Sequence, residues 1–333
     1  MKNYRVCIIG CGVICPNHIR GIQDNENTEL CAVCDIVEER AKKRADAAGC
    51  RYYTDYIEML EQEKPDAVHL CLPHALHAPF AIELLERGYD VLCEKPMDVS
   101  HETAQAMKAA SERSGARLGI IFQNRYNPEN LAILQALQSG ETGAVKFLRG
   151  EVCWHRNDAY YASGEWRSAY KTAGGGVIIN QAIHTLDLIR YFAGAPVESV
   201  RATVSHHGDT AAEVEDTAEG VIRFENGARG LFYFTINNDC DEAIRLNIRC
   251  ENARIDSCAG SCTITYNDGR VVTANNADGP QFCGEKKCYG SSHTTQIYDF
   301  YHDPDGSRAR WMMEEALLTQ KLVDDIFKAS GRF

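Results

Sequence analysis

The chain has 333 residues, and its 35 lysines and arginines against 47 aspartates and glutamates give a formal net charge of −12. An acidic surface repels phosphate backbones and anionic lipids, which argues against nucleic-acid and membrane partners. With 44% hydrophobic and 25% charged residues, the composition excludes a disordered chain, a collagen-like fibre and a membrane bundle. At about 150 residues per domain, the length predicts two domains.

The N-terminal third of the chain alternates strand and helix patterns, which is typical of a parallel sheet wrapped by helices. Short apolar runs bounded by Gly, Pro, Asp or Asn predict strands at residues 6–9, 30–34, 67–72, 91–93 and 118–121. Helical spacing predicts helices at residues 37–48, 75–87 and 102–114. We therefore expect an α/β domain with a parallel sheet over residues 1–122.

The pattern changes after residue 122, where a helix over 128–138 precedes a long strand over 144–154. Between about residues 196 and 275, period-2 runs are separated by turn dipeptides, which predicts antiparallel hairpins. These dipeptides are Asn226-Gly227, Asp268-Gly269 and Asp278-Gly279. Residues 123–333 are predicted to form an α+β domain with an open, mainly antiparallel sheet. The helix predicted over 311–328 would be able to pack back on the first domain.

A glycine-containing turn follows the first predicted strand and opens the first helix. Gly10 and Gly12, with Val13 and Ile14, occupy the positions of a dinucleotide-binding turn, although Cys15 stands where glycine or alanine is usual. The glycines permit a tight turn and close approach of a pyrophosphate, to which the helix N-terminus offers N–H donors.

An acidic residue, Asp35, closes the second predicted strand. A carboxylate at this position accepts hydrogen bonds from an adenosine ribose and disfavours a 2′-phosphate. The sequence therefore predicts NAD rather than NADP as the cofactor.

Two further strand ends and a glycine run carry polar residues. His74 and His77 follow the third predicted strand, and Lys95 closes the next, at the sheet edge where ligands gather in α/β folds. The run at 174–176 precedes a predicted helix that would present Asn180, His184 and Asp187 on one face. A polar face beside a glycine run is typical of a substrate cleft.

The chain has fifteen cysteines, an odd number. Without a secretory signal we expect free thiols, because the compartment would be reducing. Cys31 and Cys34 have the spacing of half a zinc site, but no second pair matches it, so no metal is predicted. Residues 1–5 lead directly into a strand, and no apolar run is long enough to span a membrane. We expect a cytoplasmic location.

Together these motifs resemble the Gfo/Idh/MocA family (glucose–fructose oxidoreductase, inositol dehydrogenase and rhizopine catabolism proteins) of NAD(P)-dependent sugar and polyol oxidoreductases. The matching segments are the glycine turn with His18, residues 71–77, Glu94-Lys95-Pro96, residues 174–187 and the tail His293…Tyr298-Asp299-Phe300. They extend over nearly the whole chain in the family's order. The resemblance implies an N-terminal Rossmann domain and a C-terminal substrate domain.

The resemblance also implies roles for particular residues. Lys95 would hydrogen-bond the reacting hydroxyl, and His184 would take its proton. Asn180 stands where inositol-dehydrogenase-like members carry Asp, and because an amide cannot accept a proton, this departure shifts the chemistry to Lys95 and His184. The implied cofactor contacts are Gly10, Gly12, Val13, Ile14, Asp35, Leu72, Pro73, His74, His77, Glu94, Lys95 and Gln123. The implied substrate contacts are Lys95, Arg125, Tyr161, Trp166, Arg167, Asn180 and His184.

The segment from Tyr160 to His184, with residues 123–127, is similar to members that oxidise C3 of sugars, including nucleotide-sugar uronates. Trp154, Tyr161 and Trp166 would stack on a pyranose ring, and Arg156 or Arg167 would pair with a carboxylate or phosphate.

We therefore expect an NAD-dependent dehydrogenase of a sugar or sugar derivative, acting through a dissociable NAD. Two alternatives remain. A redox-neutral isomerase or glycosidase would keep NAD tightly bound and work through a 3-keto intermediate, and a non-catalytic protein would sense NAD or sugar. The retention of Lys95 and His184 argues against a sensor.

Self-association is also expected. An open antiparallel sheet leaves one face uncovered by its own helices, and the runs 230–236 and 244–248 alternate in a way that would bury that face. We predict a homodimer or homotetramer packed through the second domain, with a small sugar molecule as the other partner.

Overall fold

Two separate sheets organise the chain. The computed structural model describes residues 3–208, 210–275 and 292–332. These residues divide into two compact units. The first contains the described residues of Met1–Tyr126 and Pro280–Leu317, and the second those of Asn127–Gly279 and Leu318–Phe333.

The first unit contains a six-stranded parallel sheet with the order β3-β2-β1-β4-β5-β6. The strands are β1 (Tyr4–Ile9), β2 (Thr28–Cys34), β3 (Arg51–Tyr53), β4 (Ala67–Leu70), β5 (Asp90–Cys93) and β6 (Leu118–Ile120). The helices of its N-terminal segment are α1 (Cys15–Gln23), α2 (Glu38–Ala48), α3 (Tyr56–Glu63), α4 (His77–Glu86) and α5 (His101–Ser114). The strand order reverses between β1 and β4, which is the switch point of a Rossmann fold. The predicted parallel α/β domain is confirmed.

A segment from far along the chain completes the core of the first unit. Helix α10 (His293–Tyr301) buries Ile297 and Phe300 fully. A Cβ on Gly119 of β6 would lie 2.8 Å from the Phe300 ring, so the glycine allows this close packing. Residues 292–317 thus follow the second sheet in sequence but pack in the first unit. The boundaries 1–122 and 123–333 stay a prediction.

The second unit contains an eight-stranded sheet with the order β14-β13-β12-β11-β7-β10-β9-β8. Strands β7 and β10 pair in parallel and the other recorded pairs are antiparallel, which confirms the predicted open, mainly antiparallel sheet. The strands are β7 (Val145–Cys153), β8 (Val197–Ser205), β9 (Thr217–Phe224), β10 (Arg229–Thr235), β11 (Arg245–Cys250), β12 (Ala253–Cys258), β13 (Ser261–Tyr266) and β14 (Val271–Asn275). The remaining helices are α6 (Pro128–Gln138), α7 (Asp158–Ala162), α8 (Tyr170–Ala173), α9 (Ile183–Ala193) and α11 (Ser307–Ala329).

Two of the predicted hairpin turns are present. Gly227, between β9 and β10, has φ +83°, and Gly269, between β13 and β14, has φ +92°. Both are backbone conformations that favour glycine. The third predicted turn, Asp278-Gly279, lies outside the described residues.

Helix α9 covers the inner face of the second sheet. A Cβ on Gly150 or Gly230 would lie 2.7 Å or 2.8 Å from the Ile189 side chain, so these glycines let the helix approach the strands closely. On the opposite face of β10, Leu231 and Tyr233 are 37% and 41% exposed.

Thirteen cysteines within the described residues are free thiols. Cys31 and Cys34 are buried, and burial raises the pKa of both thiols, that of Cys34 to about 12. They are small core residues in β2 and remain protonated at neutral pH. Over the described ranges, no helix combines the length and the apolar character that crossing a membrane requires.

Candidate active site

The glycine turn between β1 and α1 has the shape that a pyrophosphate requires. Gly10 has φ +99°, and a Cβ there would lie 2.3 Å from the Cys71 carbonyl oxygen, so only glycine fits. A Cβ on Gly12 would meet nothing within 4 Å. Helix α1 has no acidic residue in its first turn, so its N-terminus offers N–H donors to an anion without a competing charge.

Asp35 lies beside this turn at the end of β2. Its Oδ2 accepts a hydrogen bond from the Cys11 backbone N–H at 2.9 Å, and its Oδ1 accepts one from Val37 N–H at 2.9 Å. An ionised carboxylate has further lone pairs, so it is still able to accept from a ribose hydroxyl. Sequence reasoning missed Arg44, which donates to the carbonyls of Cys11 and Gly12 at 3.3 Å and 3.1 Å. These residues fit NAD.

His77 bridges two loops at the carboxyl edge of the first sheet. Its Nε2 lies 2.9 Å from the Leu72 carbonyl oxygen, and its Nδ1 lies 2.8 Å from the Pro96 carbonyl oxygen. Burial lowers the pKa of His77, although the two carbonyls oppose this effect. The predicted cofactor contacts Leu72, Pro73 and His74 follow β4 in the first of these loops, and His74 is also buried.

The second loop carries Glu94 and Lys95. Glu94 is buried, and its Oε1 lies 3.1 Å from His18 Nε2 and 3.2 Å from His293 Nε2. Its Oε2 accepts from the Lys95 backbone N–H at 3.3 Å. Burial raises the pKa of Glu94, but hydrogen bonds from the two histidines outweigh it and hold that pKa well below its usual value. Lys95 itself is half-buried.

Gln123 and Arg125 follow β6 in the first unit, and both are buried. The Arg125 guanidinium lies 3.4 Å from the Glu315 carboxylate and 5.4 Å from the ring centroid of Trp311. The charge of Arg125 is thus paired within the first unit, and its role toward a substrate stays a prediction.

In the second unit the glycine run leads into a π-helix, Val177–Gln181, and α9 begins only at Ile183. A Cβ on Gly176 would lie 1.9 Å from the Glu215 carbonyl oxygen, so the backbones approach very closely there. The Glu215 carboxylate is buried and accepts hydrogen bonds from Ile178 N–H at 3.2 Å and the Tyr170 hydroxyl at 2.9 Å. Single π-turns are frequent at functional sites.

The expectation that Asn180, His184 and Asp187 share one face of a single helix is wrong. Asn180 belongs to the π-helix and the other two to α9, and the wider π-turn breaks the α-helical spacing. Asp187 is buried and accepts a hydrogen bond from the Thr319 hydroxyl at 2.5 Å, so its carboxylate has a structural partner. His184, in the first turn of α9, is 2% exposed.

Tyr160, in the short helix α7, contacts two of the predicted substrate residues, although the sequence analysis quoted it only as the start of the 160–184 segment. Its hydroxyl oxygen accepts hydrogen bonds from the side-chain amides of Asn180 and Gln181, each at 2.9 Å. The guanidinium groups of Arg156 and Arg167 lie 5.5 Å and 5.3 Å from its ring centroid. The structure thus gathers a phenol, two amides and two cations. The two adjacent tyrosines, Tyr160 and Tyr161, were the feature of the sequence that could have indicated this cluster.

The other predicted sugar contacts differ in exposure. Trp154 is 2% exposed and donates from Nε1 to the Glu242 carbonyl at 3.0 Å, which makes it a core residue. Tyr161 is also buried, and burial raises the pKa of its phenol. Trp166 is half-buried and has the Arg167 guanidinium 4.9 Å from its ring centroid.

Two family models match this chain. Residues 4–122 match a model of GFO/IDH/MocA proteins described as an oxidoreductase family with an NAD-binding Rossmann fold. Residues 131–256 match the GFO/IDH/MocA C-terminal domain. These two matches together span most of the chain, and one lies in each unit.

Individual proteins are also similar to this chain in sequence. The chain is 30% identical over 199 residues to inositol 2-dehydrogenase of Rubrobacter xylanophilus, covering 59% of this chain and 54% of that protein. It is 25% identical over 347 residues to D-glucoside 3-dehydrogenase of Escherichia coli, covering 98% and 95%. The matches to inositol 2-dehydrogenase and two further curated relatives span only 54%, 64% and 62% of their lengths.

A solved structure extends the comparison to the whole fold. The WlbA dehydrogenase from Bordetella pertussis, in complex with NADH and UDP-GlcNAcA, has a TM-score of 0.82 and 26% identity, covering 99% of this chain and 97% of that one. The family and the NAD cofactor predicted from the motifs are confirmed. This chain belongs to the Gfo/Idh/MocA oxidoreductase family, with an NAD-binding Rossmann domain followed by the family's C-terminal domain.

Proposed function

We propose that the protein is an NAD-dependent dehydrogenase that oxidises the C3 hydroxyl of a hexose derivative, such as a glycoside or a sugar nucleotide. The retention of both Lys95 and His184 carries this proposal, because a protein that only senses NAD has no need of them. The similarity to a D-glucoside 3-dehydrogenase over 98% of the chain supports the choice of C3.

Residues of the first unit would hold NAD. The turn with Gly10 and Gly12 and the N-terminus of α1 would bind the pyrophosphate, and Asp35 would accept from the ribose. The cofactor, when bound, supplies the hydride acceptor.

Lys95 and His184 would act on the reacting hydroxyl. The Lys95 ammonium group donates a hydrogen bond to the hydroxyl oxygen and stabilises the negative charge that develops there. The His184 imidazole takes the hydroxyl proton, for which histidine is suited near neutral pH. The Asn180 side-chain amide donates a hydrogen bond to the Tyr160 hydroxyl. It would orient the reacting hydroxyl but would not take its proton.

The residues around Tyr160 would recognise the sugar. Half-buried aromatic rings such as that of Trp166 stack on pyranose faces, and guanidinium groups such as that of Arg167 pair with carboxylates or phosphates. This combination favours a sugar that carries an anionic group, as a uronate or a sugar nucleotide does.

The test is NADH formation by the purified protein with NAD⁺ and a panel of hexose glycosides, uronates and sugar nucleotides. Lys95→Met and His184→Asn should each lower kcat by roughly 10²-fold to 10⁴-fold, the range for losing an acid–base group. NAD binding by the His184→Asn variant should stay unchanged. NADH should accumulate in step with product, whereas a redox-neutral product without NADH release would favour an isomerase or glycosidase.

We also propose that two copies of the chain associate through the outer face of the second sheet. Leu231 and Tyr233 are exposed there, and neighbouring β7 carries Arg149 and Glu151 on the same face. A face with apolar side chains and both charge signs is able to pair with a second copy of itself. Light scattering at micromolar concentration should show a dimer or tetramer, and Tyr233→Asp should shift it toward monomer. A monomeric wild-type protein would refute this association.

A further inference from the structure

A chain of buried polar side chains crosses the interior of the first unit. The Tyr301 hydroxyl lies 2.8 Å from His69 Nε2, and His69 Nδ1 lies 2.9 Å from His18 Nδ1. His18 Nε2 then lies 3.1 Å from Glu94 Oε1. All four side chains are nearly inaccessible, with exposures between 0% and 6%. The roles assigned above to Lys95 and His184 do not account for this chain.

Glu94 also receives a second branch. His293 Nε2 lies 3.2 Å from the same Oε1 atom, and His293 Nδ1 lies 3.4 Å from the Asn17 side-chain amide nitrogen. The other carboxylate oxygen, Oε2, accepts from the Lys95 backbone N–H. Three N–H donors thus converge on one carboxylate.

The carboxylate determines the position of every proton in the chain. An ionised carboxylate only accepts, so His18 and His293 both donate from Nε2. Where the His18 ring carries its single proton on Nε2, its Nδ1 has a lone pair, and His69 must donate to it from its own Nδ1. The bare Nε2 of His69 in turn accepts from the Tyr301 hydroxyl.

The ionisation states agree with this assignment. Burial lowers the pKa values of His69 and His293, which keeps both rings neutral. Hydrogen bonds from the histidines keep Glu94 ionised. Burial raises the pKa of Tyr301 well above its usual value, so a proton shift that left a tyrosinate at this end is unfavourable.

We propose that Glu94 is a positioning residue whose carboxylate sets the direction of this hydrogen-bond chain and thereby holds Lys95 in place for the reaction. The next residue along is Lys95, and its peptide N–H is one of the three donors. A glutamine at position 94 would offer one acceptor oxygen in place of two, so the three N–H donors would compete for it. The kinetic part of this inference rests on the proposed function, whereas the proton positions do not.

The first test is nitrogen NMR of the protein labelled in its histidine rings, with assignments from single substitutions. At neutral pH, His18 and His293 should carry their proton on Nε2 and His69 on Nδ1. In Glu94→Gln, an NH2 group placed toward His18 would switch His18 to Nδ1–H and His69 to Nε2–H, whereas an amide oxygen placed there would keep the tautomers and set the NH2 group against the Lys95 N–H. A wild-type His69 with its proton on Nε2 would overturn the proposal.

Glu63→Gln is the matched control. Glu63 is a second buried carboxylate of the first unit, and it accepts from the Tyr53 hydroxyl at 2.7 Å. This control variant should lose stability but keep all three histidine tautomers.

The second test is steady-state kinetics on a sugar that the wild type oxidises. Glu94→Gln should lower kcat by about 10-fold to 100-fold, as expected for a misplaced catalytic group, with a smaller change in KM for NAD. A kcat equal to that of Glu63→Gln would overturn the positioning role. If the wild type oxidises no sugar, the proposed function fails while the NMR result still decides the direction of the chain. If Glu94→Gln does not fold, the wild-type tautomers alone decide the direction of the hydrogen-bond chain.

Discussion

The backbone N–H of Cys11 donates a hydrogen bond to the carboxylate of Asp35, with 2.9 Å between the nitrogen and Oδ2. This bond ties the glycine turn that would hold the pyrophosphate to the strand end that would hold the ribose. Asp35 would therefore have two roles, since its oxygens shape the turn and its charge is predicted to select the cofactor. The two parts of the dinucleotide site depend on each other.

Asp35→Asn should reduce NAD affinity by about 10-fold to 100-fold. The amide replaces one acceptor oxygen with a donor, so one charge-assisted hydrogen bond of about 1.5–3 kcal/mol is lost. NADP affinity should fall less, because the repulsion of a 2′-phosphate is also removed. Titration of both cofactors by fluorescence measures the ratio. Asp46→Asn, an exposed carboxylate of α2, is the control for charge alone, and equal losses in both variants would contradict this role.

Gly10 and Gly12 should respond differently to alanine. In Gly10→Ala the new Cβ would meet the Cys71 carbonyl oxygen at 2.3 Å, with φ at +99°, so the cofactor-free protein should lose about 2 kcal/mol or more of stability. In Gly12→Ala the Cβ would enter open space, so the cofactor-free Tm should stay unchanged. The increase in Tm on adding NAD should shrink, however, because the methyl group occupies the pyrophosphate's place. A Gly12→Ala variant that NAD stabilises as fully as the wild type would contradict the placement.

Tyr160→Phe should raise KM for the sugar and lower stability by roughly 1–3 kcal/mol. The change removes the oxygen that accepts two amide hydrogen bonds, and Gln181 is buried, so water cannot readily replace it. Tyr52→Phe removes an exposed hydroxyl of the first unit and should change neither quantity. Thermal unfolding and steady-state kinetics compare the two. Equal values of KM and of stability in the two variants would show that Tyr160 is not part of the site.

Stability should fall as the pH decreases below about 6.5. Burial holds the pKa values of His69 and His293 below that of a free imidazole, so the unfolded chain binds protons there that the folded chain does not. The contribution of these two histidines to the free energy of unfolding is fully present above about pH 6.5. It decreases as the pH falls toward their folded-state pKa values, by at most about 1.4 kcal/mol per pH unit for each ring.

Denaturant unfolding at several pH values between about 7 and 5 measures this slope. His69→Gln should make the slope shallower, whereas His155→Gln, at an exposed ring of the second unit, should leave it unchanged. A slope unaffected by His69→Gln would show that this ring takes up its proton in the folded protein as readily as in the unfolded chain.

Local patterns were enough to predict both sheets and the strand ends that carry Asp35 and Lys95. Strand β3 was missed because Arg51–Tyr53 has only three residues and no buried run. The contacts of Glu94 were not predictable from spacing, since His18 and His293 lie 76 and 199 residues away in the sequence. Asn180 and His184 were recognised as motif residues, but their relative placement depends on a π-turn that the usual helical period does not reveal.

The central claim is hydride removal from C3 of a sugar, and the most direct measurement is label transfer. The purified wild-type protein is incubated with NAD⁺ and a hexose derivative that carries deuterium at C3, and the cofactor is analysed by mass spectrometry. The account predicts reduced cofactor containing the deuterium, in amounts equal to the keto sugar formed, with His184→Asn strongly slowed. Reduced cofactor without deuterium would contradict oxidation at C3, and no reduced cofactor from any sugar in the panel would contradict the dehydrogenase itself.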